Sequence, residues 1–168
     1  MRPDLSRVPE FYHGYINHVP EDNIMQAFKN GSPAFIQFME NIPAEKREYR
    51  YAEGKWTIKE VLQHIIDGER VFDYRALCFA RKDPSPLPGF DENIFAANAK
   101  ADRRNLNDLM DEFKAVRKGS EILFGSFDDE QLNTEGIANN HSNHVLAFGY
   151  VIVGHSLHHM RIIKERYL

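Results

Sequence analysis

This sequence has a single cysteine, no long apolar run and no excess of basic residues. Cys78 is the single cysteine among 168 residues, so no internal disulfide can form. A chain of this length buries about 70% of its unfolded surface without one. The longest nearly unbroken apolar stretch, 145–154, is shorter than the roughly 18–20 residues that a membrane-spanning helix requires. We therefore expect no membrane helix.

The charge balance and the N-terminal residues exclude further classes of protein. Lys and Arg number 21 against 25 Asp and Glu, a net charge of −4, which argues against a duplex nucleic-acid binder that neutralises phosphates. The first residues mix charges and prolines where a secretory signal needs an apolar segment. With 42% apolar and 27% charged residues, the chain is predicted to be one cytoplasmic domain spanning 1–168.

Apolar residues recur at helical spacing in four segments, and no alternation typical of strands is visible. The first segment is 24–42, where Gly31, Ser32 and Pro33 interrupt the pattern. Pro33 is expected to kink or restart this helix, with Ser32 as the cap of its second half. The pattern predicts helices throughout and no sheet.

The other three segments carry helix start and stop signals. Thr57 and Glu60 have the spacing of a capping box at the start of the second helix, which is expected over about 57–81. The third is expected over about 105–125 and the last over about 142–166. Four helices of about 20 residues, joined by connections that let them pack, predict an all-α four-helix bundle.

The last predicted helix carries a pair of histidines at metal-ligand spacing. His155 and His159 are four residues apart, so their imidazoles point to one side of a helix. The same spacing occurs in the HExxH motif of zinc proteases, but the glutamate of that motif is absent here. An isolated pair of this kind is more often two surface histidines. Here Phe148 and Ile152 lie along the same stripe, which places the pair towards the core.

A third ligand is expected from another helix, and His64 is the only histidine in the second one. Taken alone, it would more often be a boundary histidine with one hydrogen bond. Together with the pair it makes three nitrogens from two helices. Three histidines leave at least one coordination position for water or substrate, which is the catalytic pattern.

Other candidate ligands are poorly placed for the same ion. His158 is rotated by about 100° from its neighbour and is expected at the rim. Cys78 lies about 21 Å from His64 along the helix, and His144 about 16 Å from His155, by the helical rise per residue. His13 and His18 are expected to be solvated.

Supporting residues for catalysis are harder to identify from the sequence. Asp67 and Glu69 flank the ligand of the second helix and could orient an imidazole or accept a proton, although exposed helical carboxylates are common. Arg75 could meet an anionic substrate or form an ion pair across the bundle. Asp91 and Asn93 lie in the proline-rich loop after the second predicted helix and could reach a pocket beside the metal. Asp91 could equally be a helix cap.

Three stretches resemble the DinB-like family of four-helix metalloproteins: GKWTIKEVLQHIIDGERVFDYRALCFAR, PLPGFDEN and GHSLHHMRIIKERYL. The resemblance covers nearly the whole chain. The metal triad of the family, one histidine from the second helix and two spaced four apart on the fourth, carries over to His64, His155 and His159. The resemblance implies up-down-down-up helix order, frequent dimers, and zinc, nickel or another divalent ion.

Relatives of known activity transfer bacillithiol or mycothiol to electrophiles or isomerise maleylpyruvate with a thiol cofactor, and others are considered metal-dependent hydrolases. We therefore expect a homodimeric metalloenzyme whose ion activates a low-molecular-weight thiol, or water, towards a small-molecule electrophile. The alternatives are a non-catalytic metal-binding protein of a stress response and a plain helical bundle with incidental histidines.

Overall fold

The computed structural model describes residues 1–168 and contains seven α-helices, three short 3₁₀ turns and one two-stranded hairpin. No helix has both the length and the apolar character needed to cross a membrane. The helices are α1 (Glu10–Asn17), α2 (Ile24–Glu40), α3 (Ile58–Ala80), α4 (Glu92–Ala99), α5 (Leu106–Gly125), α6 (Asp129–Leu132) and α7 (Val145–Arg166). The strands are β1 (Glu135–Ala138) and β2 (His141–His144).

Four of these helices form the bundle, in which α2 and α3 each pack against both α5 and α7. Lys59 at the start of α3 donates to the carbonyl of Arg104, just before α5, so these two helices run parallel. Tyr167, just after α7, donates to the carbonyl of Trp56, just before α3. α3 and α7 are therefore antiparallel.

The direction of α2 relative to the other three helices follows from its contact with α5. Met25 at the start of α2 lies against Gly125 at the end of α5, so these helices are antiparallel. The order of α2, α3, α5 and α7 is therefore up-down-down-up, and the predicted four-helix bundle is confirmed. The capping box is also present: Thr57 Oγ1 accepts from the Glu60 amide, and Glu60 accepts from the Thr57 amide.

The predicted restart of the first helix at Pro33 is wrong. Pro33 lies inside the continuous helix α2. Phe28 and Phe35, on either side of it, are fully buried, and their packing outweighs the one backbone hydrogen bond that proline cannot make. Ser32 is not a cap, because its hydroxyl donates to Glu121 of α5 instead.

The expectation of no sheet and the start of the last helix at 142 are also wrong. β1 and β2 pair antiparallel through a turn at Asn139 and Asn140, both at positive φ, which asparagine tolerates better than most residues. Leu87 of the proline-rich loop exchanges backbone hydrogen bonds with this hairpin. Strands of four residues are too short to show a clear alternation in the sequence.

Two short helices, α1 and α4, were not expected either. α1 packs along α7 and buries Tyr12 and Ile16. The histidines of this segment are therefore not fully solvated as expected. His13 is half-buried, with Nε2 2.9 Å from the carbonyl oxygen of Val8, and His18 is half-buried as well. Both histidines are partly buried because α1 packs against the bundle.

The bundle has two apolar cores with a polar layer between them. One core of 24 buried residues includes α1 and the hairpin end, and the other, of 14, lies at the opposite end. The layer between them contains Ser32, Glu69, Arg117, Ser120 and Ser156, all buried. Arg117 donates to Glu69 of α3, Ser32 of α2 and Ser156 of α7. One arginine on α5 therefore contacts the other three helices of the bundle.

Candidate metal centre

The structure brings His64 of α3 together with His155 and His159 of α7. The Nε2 atom of His155 lies 2.9 Å from Nε2 of His64 and 3.0 Å from Nε2 of His159. One nitrogen from each residue fits within a group whose members are all within 4.8 Å of one another. Three imidazole nitrogens from two helices therefore converge on one point.

Two glycines make room for this arrangement. A Cβ at Gly68 would already touch His155, 3.4 Å from its Cε1 atom. A Cβ at Gly154 would overlap the backbone of Tyr15, coming within 2.5 Å of its carbonyl carbon. Glycine at these positions lets α3 and α1 approach α7 on either side of His155.

Burial keeps the three imidazoles uncharged at neutral pH. It lowers the pKa of His64 to about 4, with the charge of Glu92 opposing the shift, and that of His159 to about 3. The pKa of His155 lies well below its ordinary value because the ring is buried and faces the other two histidines. Neutral imidazole is the form that binds metal ions.

A cavity of about 430 Å³ opens beside the cluster. This lies within the 300–1,000 Å³ typical of small-molecule sites. Its lining combines aromatic side chains with polar and titratable ones. The lining residues are Phe11, Tyr12, Tyr15, Trp56, His64, Gly68, Phe72, Arg75, Phe90, Glu92, Asn139, His155 and His159. A small molecule could therefore reach the three histidines from solution.

The three carboxylates considered from the sequence do not line this cavity. Asp67 accepts a hydrogen bond from Gln63. Glu69 is buried and accepts two hydrogen bonds from Arg117, so it belongs to the polar layer of the bundle. Asp91 caps α4 by accepting from two backbone amides. Each carboxylate has a structural partner within the chain.

The other residues singled out from the sequence are also located. Arg75 lines the cavity and forms no ion pair within 4.0 Å, so the ion pair considered for it across the bundle is absent. Asn93 lies in a neighbouring cleft with His158 and His159. His158 is half-buried and stacks on His18, with ring centroids 5.7 Å apart.

Several cavity residues were not identified from the sequence. Tyr12 and Tyr15 come from α1, a helix whose only signal is a short apolar pattern. Glu92 follows the capping residue of α4 and is the single carboxylate in the lining. Asn139 comes from the hairpin turn. The adjacent asparagines 139 and 140 were the signal for that turn, but nothing local indicates that it faces the histidines.

Comparisons with known proteins identify the family and the fold of this chain. A family model described as the DinB superfamily matches residues 27–163. The chain belongs to the DinB superfamily. The matched segment contains all three clustered histidines and most of the DinB bundle, from α2 to the last turn of α7. No curated protein sequence matches the chain significantly.

Among solved structures, this DinB-superfamily chain is similar to YfiT from Bacillus subtilis. The TM-score is 0.72 at 16% sequence identity, and the alignment covers 87% of this chain and 89% of YfiT. YfiT is described as a probable metal-dependent hydrolase with an unusual four-helix bundle topology. At this identity the similarity shows that the two proteins share a fold.

Proposed function

We propose that this protein is a metal-dependent enzyme in which His64, His155 and His159 hold one divalent ion. The observation that carries the proposal is the convergence of three uncharged imidazoles in the wall of an open cavity. Nitrogens that bind one tetrahedral ion at about 2.0–2.1 Å lie roughly 3.3 Å apart. The present contacts of 2.9 and 3.0 Å need only small side-chain adjustments. Imidazole nitrogens are suitable ligands for zinc and nickel, the ions we expect here.

The arrangement supports catalysis better than a structural role. Three protein ligands leave at least one position for an exogenous group, and the cavity of about 430 Å³ gives such a group access. A structural or sensory ion would be expected in a closed shell without a cavity. When bound, the ion supplies a positive charge that lowers the pKa of a coordinating thiol or water.

The side chains that line the cavity indicate which group accepts a proton and where the nucleophile comes from. Glu92 is the one carboxylate in the lining, and we assign to it the acceptance of the proton that the thiol or water releases. Asp67, Glu69 and Asp91 are less suited because each is engaged outside the cavity. Cys78 does not line the cavity, so a thiol nucleophile has to come from solution. Our first candidate reaction is transfer of a low-molecular-weight thiol to an electrophilic small molecule, and these features are compatible with it.

Hydrolysis is the second candidate, and the structural similarity to YfiT favours it. The same three histidines and the same carboxylate would then serve a water molecule in place of a thiol. The aromatic walls would hold the apolar part of the substrate in both reactions. The two candidates differ only in the nucleophile, so one set of assays separates them.

Metal binding can be measured through the single tryptophan. Trp56 lies with its ring 4.7 Å from that of His64, so Ni²⁺ added to tag-free, metal-free protein should quench its fluorescence saturably. His155→Ala should abolish this quenching. His158→Ala should retain it, because His158 is next to His159 in the sequence but is rotated from it by about 100° around the helix. Equal losses in both variants would contradict the proposed site.

The metal-dependent gain in stability provides a second readout. Zinc at 100 times its Kd should stabilise the folded protein by about 2.7 kcal/mol. For a chain of this size, that corresponds to a rise in Tm of roughly 5–11 °C. The rise should be lost in His155→Ala and preserved in His158→Ala. An unchanged Tm in the wild type would exclude metal binding by the folded state.

The reaction itself is tested with the zinc-loaded protein, a low-molecular-weight thiol and a chlorodinitrobenzene-type acceptor. Thiol transfer should exceed the uncatalysed rate and be lost on chelation and in His64→Ala. Transfer that survives both treatments would exclude the metal from the mechanism. Absence of transfer with any thiol, together with chelator-sensitive cleavage of an ester or amide, would establish hydrolysis instead.

A further inference from the structure

Two chemically different groups line the cavity, the clustered histidines and Arg75. The ring of Phe72 lies near both, with its centroid 6.0 Å from Cζ of Arg75 and 6.3 Å from the centroid of the His155 ring, so Cζ of Arg75 and the His155 ring are at most about 12.3 Å apart. A small molecule with an extended body can span this distance.

Arg75 is a buried cation without a carboxylate partner. Its residue is 3% exposed. One terminal nitrogen donates to the hydroxyl of Tyr12 at 3.3 Å and the other to the carbonyl of Pro88 at 2.8 Å. A guanidinium has five N–H groups, so more than half of its donors are free of protein acceptors. Arg117 shows the contrast, because it is equally buried but is bonded twice to Glu69.

The surroundings of Arg75 would hold the organic part of a ligand as well as its charge. The guanidinium lies 6.0 Å from the ring of Phe72 and 5.8 Å from that of Phe90, and both rings line the cavity. Glu92, the one carboxylate of the lining, is not within 4.0 Å of Arg75, so it does not neutralise the charge. A planar guanidinium matches a carboxylate through two parallel hydrogen bonds.

We propose that the cavity selects small organic carboxylates with an aromatic or apolar body, and that Arg75 binds their carboxylate. The body lies along Phe72, which places the far end of the ligand at His64, His155 and His159. This assignment rests on the proposed function for the role of the histidines. The recognition of the carboxylate depends on Arg75 and the aromatic walls alone.

The test compares 3-phenylpropanoate with 3-phenylpropanol, which has the same body without the charge. Both are titrated into zinc-loaded and metal-free protein and followed by Trp56 fluorescence and by the NMR signal of the Arg75 Nε–H group. We expect the acid to bind at least tenfold more tightly than the alcohol in both forms, and the acid alone to shift the arginine signal.

Variants separate Arg75 from other sources of affinity. Arg75→Met should weaken binding of the acid at least tenfold and leave the alcohol unchanged. Arg81→Met, at the exposed end of the same helix, should bind both compounds as the wild type does. Arg75→Lys keeps the charge but not the planar fork, and its intermediate affinity would support the same role should Arg75→Met fail to fold.

Equal affinity of the wild type for acid and alcohol would overturn this inference, and so would an Arg75 signal that the acid does not move. Failure of the proposed metal site looks different. In that case zinc would not bind, yet metal-free protein would still prefer the acid through Arg75. A preference seen only with zinc and kept in Arg75→Met would mean that the metal, not the arginine, binds the carboxylate.

Discussion

The contact between α1 and α7 at Gly154 can be tested by adding a single methyl group. A Cβ at this position would overlap the carbonyl group of Tyr15, within 2.5 Å of its carbon atom. Backbone atoms cannot move aside as a flexible side chain does. The variant Gly154→Ala therefore has to separate α1 from α7, which removes part of the burial of Tyr12 and Ile16.

The expected magnitude combines two opposing effects. Overpacking of a well-packed contact destabilises the fold by about 1–3 kcal/mol. Replacing glycine by alanine inside a helix stabilises it by about 0.5–1 kcal/mol. Gly154→Ala should therefore lower the free energy of unfolding by up to about 2.5 kcal/mol, or the Tm by up to about 10 °C. Gly119→Ala is the matched control, because a Cβ there meets no atom within 4 Å. It should stabilise the protein by about 0.5–1 kcal/mol.

Urea unfolding of the metal-free proteins measures the free energy of unfolding of both variants. Gly154→Ala should also weaken binding of small molecules in the cavity, since Tyr15 forms part of its wall. It should leave metal binding nearly unchanged, because the clustered histidines belong to α3 and α7. Equal stabilisation by Gly154→Ala and Gly119→Ala would refute the close approach of α1. Loss of metal binding with an intact fold would mean that α1 positions the cluster.

Three further changes test the buried polar layer and the start of α3. Arg117→Met should destabilise the fold by about 3–5 kcal/mol in urea unfolding, because it leaves Glu69 buried without its partner, and Arg117→Met with Glu69→Gln should cost less. Asp73 of α3 borders this layer and accepts a hydrogen bond from Ser120. Burial raises the pKa of Asp73 from 3.8 to about 7, so the folded state holds a proton that the unfolded state releases, and stability should fall as pH rises between these values. Asp73→Asn should remove this fall, which amounts to at most about 4 kcal/mol. Thr57→Ala should cost about 1 kcal/mol of stability, measured as a Tm lower by roughly 2–4 °C.

The sequence determined those features whose signals are local and periodic. The i, i+4 spacing of His155 and His159 places both imidazoles on one side of any helix, whatever that helix packs against. Thr57 and Glu60 define the start of α3 because their reciprocal hydrogen bonds involve only four consecutive residues. The long helices and the bundle follow from apolar spacing, and His64 could be named because its helix contains no other histidine. The homodimer, the cytoplasmic location and the stress-response role stay predictions.

Tertiary structure alone decided which polar residues face the cavity. Glu69 and Arg75 are six residues apart on α3 and both are buried, yet Arg117 neutralises the first, while the second meets aromatic rings and the cavity. Nothing local distinguishes them, because Arg117, which bonds to Glu69, comes from α5, and Tyr12, to which Arg75 donates, comes from α1. Helix α1 and the hairpin are likewise stabilised by burial against the bundle rather than by their own short patterns. Burial is a property of the assembled fold, and it decides here which charge is paired and which is left for a ligand.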